Sequence, residues 1–113
     1  MAHPFTVSDQ FIDDTLCTAL EGGINYWARS AVSTTMPDGA EYTSDCLSRG
    51  ADVVITDDEG AQHTLTKAAF VKATRAFCKA RKTTPARLED EVPDAADADA
   101  IVQLALFGEV VYA

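Results

Sequence analysis

The chain has 113 residues, 47% of them hydrophobic and 24% charged, a composition that fits one globular domain and excludes collagen, coiled-coil arrays and full disorder. No apolar run approaches the roughly 20 residues of a membrane span, and residues 1–14 lack the basic and apolar segments of a secretory signal. The net charge of −9, from 18 acidic and 9 basic residues, disfavours general binding to nucleic acid, because phosphate contacts need clustered Lys and Arg.

The first predicted element is a helix from about Asp9 to Glu21, where apolar residues recur at helical spacing. Ser8 is a suitable N-cap residue, and the glycine pair at 22–23 ends the helix, since glycine readily adopts the left-handed conformation found there. Residues 24–29 (Ile-Asn-Tyr-Trp-Ala-Arg) follow directly, and their β-branched and aromatic side chains predict a strand.

A loop is predicted over residues 30–42, with a turn at 36–39 (Met-Pro-Asp-Gly). Residues 43–49 are consistent with one or two helical turns that end at Gly50. The hairpin signal is clearer, because two short strands at 52–56 and 62–65 are separated by an acidic turn that contains glycine.

A long helix is predicted from Lys67 to about Lys82, with Thr66 as its N-cap. Residues 83–97 form an acidic, Pro-containing connection within the domain, which we expect to be mobile. A last helix covers about 98–107, with Asp97 or Asp99 as capping residues near its start. The four residues that follow Gly108 are expected to pair with the sheet or to pack as an extended tail.

These elements predict an α+β fold in one domain over residues 1–113. A small antiparallel sheet of three or four strands is packed by two or three helices on one face, and the other face is either wet or an interface. A core of only two layers is also compatible with a homo-oligomer. No feature of the sequence indicates a membrane partner.

The charges are unevenly distributed: net −9 over residues 1–59, +7 over 60–88 and −7 over 89–113. A basic block between two acidic blocks favours neutralisation within the molecule, with the basic side chains on a solvated helix face. The alternative is a docking surface. The stripe that would form it consists of Lys72, Arg75, Lys79 and Lys82.

The chain contains no pattern that predicts catalysis, a metal or a cofactor. The cysteines Cys17, Cys46 and Cys78 are odd in number and widely spaced, so we expect free, structural thiols. His63 lies in the hairpin, where we expect it to point to solvent, and a catalytic pair with Cys46 is a remote alternative. Acidic residues fall in turns and caps, and no phosphate-binding loop is present.

Three patches of sequence look familiar together: residues 19–27 (ALEGGINYW), 42–50 (YTSDCLSRG) and 97–112 (DADAIVQLALFGEVVY). In this order they resemble a widespread family of small uncharacterised proteins of tailed bacteriophages and prophages. The resemblance implies a phage protein that acts in the cytoplasm of the host bacterium, and it implies no activity. Ala51 and Ala113 stand where relatives often have glycine.

Five residues within these patches are candidates for ligand or partner binding. Tyr26 and Trp27 would offer a stacking surface, while Arg49 with an acid would hold a polar ligand or a partner side chain. The alternative is structural: Glu21 or Glu109 pairs with Arg49, and Trp27 fills the core. The candidates are Glu21, Tyr26, Trp27, Arg49 and Glu109.

The leading hypothesis for function is a non-enzymatic phage accessory protein that binds a host or defence protein. It follows from the small size, the acidity, the lack of a catalytic pattern and the resemblance. The alternative is a protein that binds or sequesters a small, nucleotide-like ligand, for which Arg29, Arg49 or the basic helix would have to reach the phosphates. A small metal-assisted enzyme and nucleic-acid binding through the basic stripe are the remaining hypotheses.

Overall fold

A three-stranded antiparallel sheet packs against four α-helices in the computed structural model, which describes residues 6–90 and 93–113. This architecture confirms the predicted α+β class. The strands are β1 (Ala28–Ser33), β2 (Val53–Asp57) and β3 (Gln62–Leu65). The helices are α1 (Asp9–Thr18), α2 (Lys67–Ala80), α3 (Pro85–Asp90) and α4 (Ala95–Phe107), with a π-helical turn at Ala19–Gly23 and a 3₁₀ turn at Thr43–Asp45.

The sheet has the order β1-β2-β3, so that β1 and β3 are its edges. The predicted hairpin is confirmed as β2 and β3, whose register pairs Ile55 with His63. In the turn between them Gly60 has φ +88°, the left-handed conformation that favours glycine. The Asp57 carboxylate holds this turn by accepting the backbone N–H groups of Glu59 and Ala61 at 2.9 and 3.0 Å.

The predicted strand at 24–29 is wrong over most of its length. Residues 24–27 form a tight turn, in which the Ile24 carbonyl accepts the N–H groups of Trp27 and Ala28 at 3.1 and 2.9 Å. The aromatic side chains here pack against helices instead of joining a sheet, which overrides their strand propensity. The strand β1 begins at Ala28 and extends into the predicted loop 30–42, where small and polar residues gave no strand signal.

Side-chain caps start α1, α2 and α4, and at the start of α3 the Thr84 hydroxyl accepts the Arg87 N–H at 3.3 Å. Ser8 and Thr66 accept the backbone N–H groups of the third helical residues of α1 and α2, as predicted. Asp94 does the same for α4, so the prediction that Asp97 or Asp99 acts as the cap is wrong. The helix starts at Ala95, three residues before the predicted start at Ala98. The apolar pattern that predicts the helix begins only after Asp97, so it does not show this first turn.

The segment predicted as a connection at 83–97 contains helix α3. Pro85 begins this helix, a position where its missing N–H costs nothing. Leu88 is 5% exposed and joins the hydrophobic core. Residues 91 and 92 of the connection lie outside the described residues.

The hydrophobic core lies between the inner face of the sheet and helices α1, α2 and α4. Its largest fully buried apolar side chains are Phe11, Ile12, Leu16, Ile24, Leu47, Ile55, Leu65, Phe70 and Ile101. The opposite face of the sheet is open, with Val32 62% exposed opposite Val54. No helix in the described ranges is long and apolar enough to cross a membrane.

Candidate functional site

An open groove of about 560 Å³ lies beside strand β1, and we call it the β1 groove. One wall is the end of α1 with the turn that follows it, and the other is the 3₁₀ turn. Four consecutive β1 residues, 28–31, line its floor. A β-bulge between Ala28 and Ser30 interrupts the regular alternation of side chains in this part of the strand. Among the described residues, none from β2 or β3 lines the groove, so it lies against the outer main-chain edge of β1. The groove is lined by Cys17, Leu20, Glu21, Ile24, Asn25, Ala28, Arg29, Ser30, Ala31, Tyr42, Thr43 and Ser44.

The main-chain edge of β1 that faces the groove is unpaired by any strand in the described part of the chain. Thr34 donates its backbone N–H inward, to the Asp52 carbonyl at 2.9 Å. Backbone groups of an antiparallel strand alternate in direction, so those of Ala31 and Ser33 point outward. The edge therefore offers donors and acceptors to a further strand.

Exposed apolar side chains lie at this end of the molecule. Tyr42, which lines the groove, is 68% exposed, and Met36 is 59% exposed. The Cys46 thiol contacts both residues, with Sγ 3.4 Å from the Met36 side-chain Sδ and 3.3 Å from the main-chain carbonyl of Tyr42. These exposed side chains are of the kind found in protein interaction surfaces.

The wall formed by α1 is acidic. Burial raises the pKa of the Cys17 thiol, and a hydrogen bond with Glu21 and the negative charges of Glu21 and Asp14 raise it further. A hydrogen bond with Ser44 has the opposite effect and lowers the pKa. The thiol is thus held in its neutral form. Arg29 brings one cation to the lining, and its Nη2 lies 3.1 Å from where a Cβ on Gly60 would be.

A second cluster surrounds the carboxylate of Asp99. Tyr26 donates its hydroxyl proton to Asp99 Oδ2 at 2.6 Å, and Trp27 donates Nε1–H to Oδ1 at 2.8 Å. Gln103 donates its amide to the same Oδ1 at 2.8 Å. Burial, together with the hydrogen bond to Asp99, raises the pKa of Tyr26 to about 12.

The C-terminal tail closes over this cluster. The side-chain carbonyl of Gln103 accepts the N–H groups of Val111 and Tyr112, both at 2.8 Å. The Tyr112 ring stacks on Trp27 with centroids 4.9 Å apart and planes 3° from parallel. Trp27 is therefore only 2% exposed, which favours the structural role over a free stacking surface. A cavity of about 300 Å³ beside Tyr112 is bordered by the acidic turn at 57–59.

The five predicted site residues do not come together. Glu21 lines the β1 groove, whereas Tyr26 and Trp27 belong to the Asp99 cluster. Arg49 donates to the Asp45 carbonyl at 2.8 Å and lies 3.8 Å from Asp13, so the expected ion pair with Glu21 or Glu109 is wrong. Glu109 is exposed just after α4.

His63 does not point to solvent as predicted. Its Nε2 lies 2.9 Å from Asp57 Oδ2, and its ring meets the edge of Phe107 at 5.0 Å between centroids. Cys46 has other neighbours, Met36 and the Tyr42 carbonyl, and the described contacts do not join the two as a catalytic pair. Across the described residues, no group of three or more His, Cys, Asp or Glu could hold a metal ion.

The basic stripe is exposed along α2 and just beyond its end, at Lys82, where φ is +55°. Two cations outside the stripe take part in ion pairs within the molecule. Lys67 pairs with Asp9 at 3.1 Å, and Arg81 pairs with Asp97 at 3.3 Å. The stripe remains a candidate docking surface, formed by Lys72, Arg75, Lys79 and Lys82.

The prediction from sequence missed Asp99 and Gln103 as interacting residues. They lie four residues apart in a helix whose one other polar side chain is Asp97, and this spacing places both on one face, a signal that could have marked them. It also missed Tyr42, whose place in the groove depends on the tertiary fold. Comparison of the chain with protein-family models, curated proteins and solved structures gives no match.

Proposed function

We propose that the chain is a phage-encoded, non-enzymatic accessory protein that binds a protein of the infected bacterium or of its defence system. The observation that carries the proposal is the β1 groove, where an unpaired strand edge and the exposed Tyr42 lie side by side. Unpaired edges and exposed aromatic side chains are features through which proteins bind one another. The host cytoplasm is the proposed place of action.

A polypeptide fits this groove better than a small anion does. The Glu21 carboxylate in the lining would repel phosphate, and the Arg29 guanidinium is placed beside Gly60 of the β2–β3 turn. The main-chain edge, in contrast, offers the alternating donors and acceptors that another chain can satisfy. These features favour a protein partner over a nucleotide.

A small-ligand binding protein is the second candidate, and the size of the groove favours it. Its volume of about 560 Å³ lies within the range of roughly 300–1,000 Å³ typical of small-molecule sites. A ligand that binds the native state raises thermal stability. A rise in Tm with one member of a nucleotide panel, lost in Tyr42→Ala and increased in Glu21→Lys, would replace the protein partner with this candidate.

The test is an affinity purification from bacterial cells that express the tagged chain, followed by mass spectrometry. With the wild-type chain, we expect to recover one host protein in an amount nearly equal to that of the tagged chain. The two proteins, each purified separately, should then bind again when mixed. Tyr42→Glu should lose this protein, because a charge replaces the aromatic ring in the groove. Val110→Glu places the same charge at a site that is 52% exposed outside the groove lining and should retain it.

The opposite pattern would contradict the proposal. If no protein is recovered, or if Tyr42→Glu and Val110→Glu retain the same protein equally, the β1 groove is not where the chain binds a partner. Circular dichroism of both variants shows whether they remain folded.

A further inference from the structure

The free edge of β1 has the geometry of a strand-addition site. Outward backbone groups at Ala31 and Ser33 are spaced like those of any strand, about 7 Å apart for alternate residues. The groove runs along 28–31 of the same strand, so an added chain would have room for its side chains. The other edge strand, β3, has four residues, contacts α4 and does not line the groove.

The surroundings of the groove select the charge of the added chain. Glu21 is exposed in the lining, and Glu41 is exposed beside Tyr42. Asp14 lies close enough to act on the Cys17 thiol in the same wall. Three acidic side chains, Glu21, Glu41 and Asp14, thus lie around the groove against one cation in its lining, Arg29, so the groove attracts positive charge.

The side chains that line the floor and mouth select its shape. Ser30, Ala31 and Ser44 are small and leave space for alternate side chains of an extended segment. The Tyr42 ring at the mouth, 68% exposed, can lie against the stem or the cation of a Lys or Arg. An extended chain with basic residues satisfies the free backbone groups, the acidic wall and the aromatic ring together.

We infer that the partner in the proposed function docks as an extended segment bearing Lys or Arg, which adds a strand to the free edge of β1. The inference rests on the proposed function, since it names the form and the charge of the partner. It excludes an acidic or helical segment as the bound element.

The experiment screens a display library of random peptides, each of about ten residues, long enough to span the strand β1, against the purified full chain. We expect the selected peptides to be rich in Lys, Arg and strand-forming residues. Hydrogen exchange should show protection of the Ala31 and Ser33 amides when a selected peptide binds. Selection of acidic or helix-forming peptides, or of none, would overturn the inference.

Variants then test separately the main-chain pairing with β1 and the attraction of the acidic wall for a basic segment. Ala31→Pro removes one outward N–H and leaves the inward ladder to β2 unchanged, so we expect peptide affinity to fall about tenfold, the value of one lost hydrogen bond. Glu21→Lys should also weaken binding about tenfold and reduce its salt dependence. Glu109→Lys makes the same charge change at an exposed position outside the groove and should leave affinity unchanged.

The outcomes separate this inference from the proposed function. One outcome is a host protein that binds the wild type but not Tyr42→Glu, and that binds Ala31→Pro and Glu21→Lys as tightly as the wild type. In that case the proposed function stands and strand addition is wrong. If the chain is a dimer in light scattering and Ala31→Pro makes it a monomer, a second copy occupies the edge and the inference of a basic partner is overturned. Glu21 is exposed, so Glu21→Lys remains informative even if Ala31→Pro unfolds.

Discussion

At the scale of single residues, the carboxylate of Asp99 is held by three side chains. It is 9% exposed and accepts hydrogen bonds from a phenol, an indole and an amide. An ionised carboxylate is purely an acceptor, so its two oxygens match three donors without conflict. An amide in the same place would present its own donor to one of these groups.

We therefore expect Asp99→Asn to destabilise the protein by about 1–3 kcal/mol, the cost of leaving buried polar groups unmatched. Urea unfolding followed by fluorescence measures this, because Trp27 is the one tryptophan of the chain and lies in the cluster. Asp97→Asn is the matched control, since its pair with the exposed Arg81 is worth less than about 1 kcal/mol. Equal losses in the two variants would contradict the role of Asp99.

The Asp57 carboxyl makes stability depend on pH. A hydrogen bond with His63 and those from the Ala61 and Glu59 backbone lower its pKa below 3.8, although burial opposes this. The folded state thus holds the ionised form more tightly than the unfolded chain does. The resulting stability is complete above the ordinary pKa and is lost as the pH falls through the lowered pKa of the folded state.

Asp57→Asn should remove this contribution. We expect the difference in unfolding free energy between wild type and variant to be constant near neutral pH and to shrink as the pH falls below 3.8. Denaturant unfolding at a series of pH values measures the difference. Asp58→Asn, an exposed neighbour in the same turn, should follow the wild-type profile, and a profile of Asp57→Asn parallel to the wild type would refute the assignment.

At the scale of elements, a close approach joins the π-helical turn to the start of α4. A Cβ on Gly23 would lie 2.7 Å from the Ala95 carbonyl oxygen, so that no larger residue fits without a shift of backbone. Gly22, one residue earlier, has nothing within 4 Å of its Cβ position. The two adjacent glycines therefore have different roles: the second permits packing and the first does not contact other elements.

Gly23→Ala should destabilise the protein by about 1–3 kcal/mol, the usual cost of overpacking. Gly22→Ala should be neutral or stabilise by roughly 0.4–1 kcal/mol, because it only restricts the unfolded chain. Thermal unfolding of the two variants side by side measures both effects. If Gly22→Ala is as destabilising as Gly23→Ala, the contact with Ala95 does not explain the glycine.

Local chemistry made some elements predictable and left others hidden. The caps Ser8 and Thr66 and the hairpin were read from the sequence because their signals lie within a few neighbouring residues. The strand β1 was misplaced because pairing with β2 and burial of Trp27, both tertiary effects, override local propensity. For the same reason the sequence identified Glu21 and Arg49 as candidate site residues but did not show that they lie in different parts of the fold.

At the scale of the whole molecule, the Asp99 cluster ties distant parts of the chain together. The bonds from Tyr26 and Trp27 to Asp99 span 73 and 72 residues. Gln103 adds the tail, because its amide bonds both Asp99 and the backbone of Tyr112. The turn after α1, the last helix and the tail therefore form one packed unit around Trp27.

Truncation of the tail's aromatic ring tests this unit. Tyr112→Ala removes the ring stacked on Trp27 and should lower stability by about 1–2 kcal/mol, from the lost aromatic pair and buried area. Acrylamide should then quench Trp27 fluorescence more strongly, because the indole face that is covered in the wild type opens to solvent. Val110→Ala shortens a side chain that is 52% exposed in the same tail and should change neither property. Unchanged quenching in Tyr112→Ala would mean that the tail does not cover Trp27 when the protein is in solution. The indole face would then be available as the stacking surface that the sequence suggested.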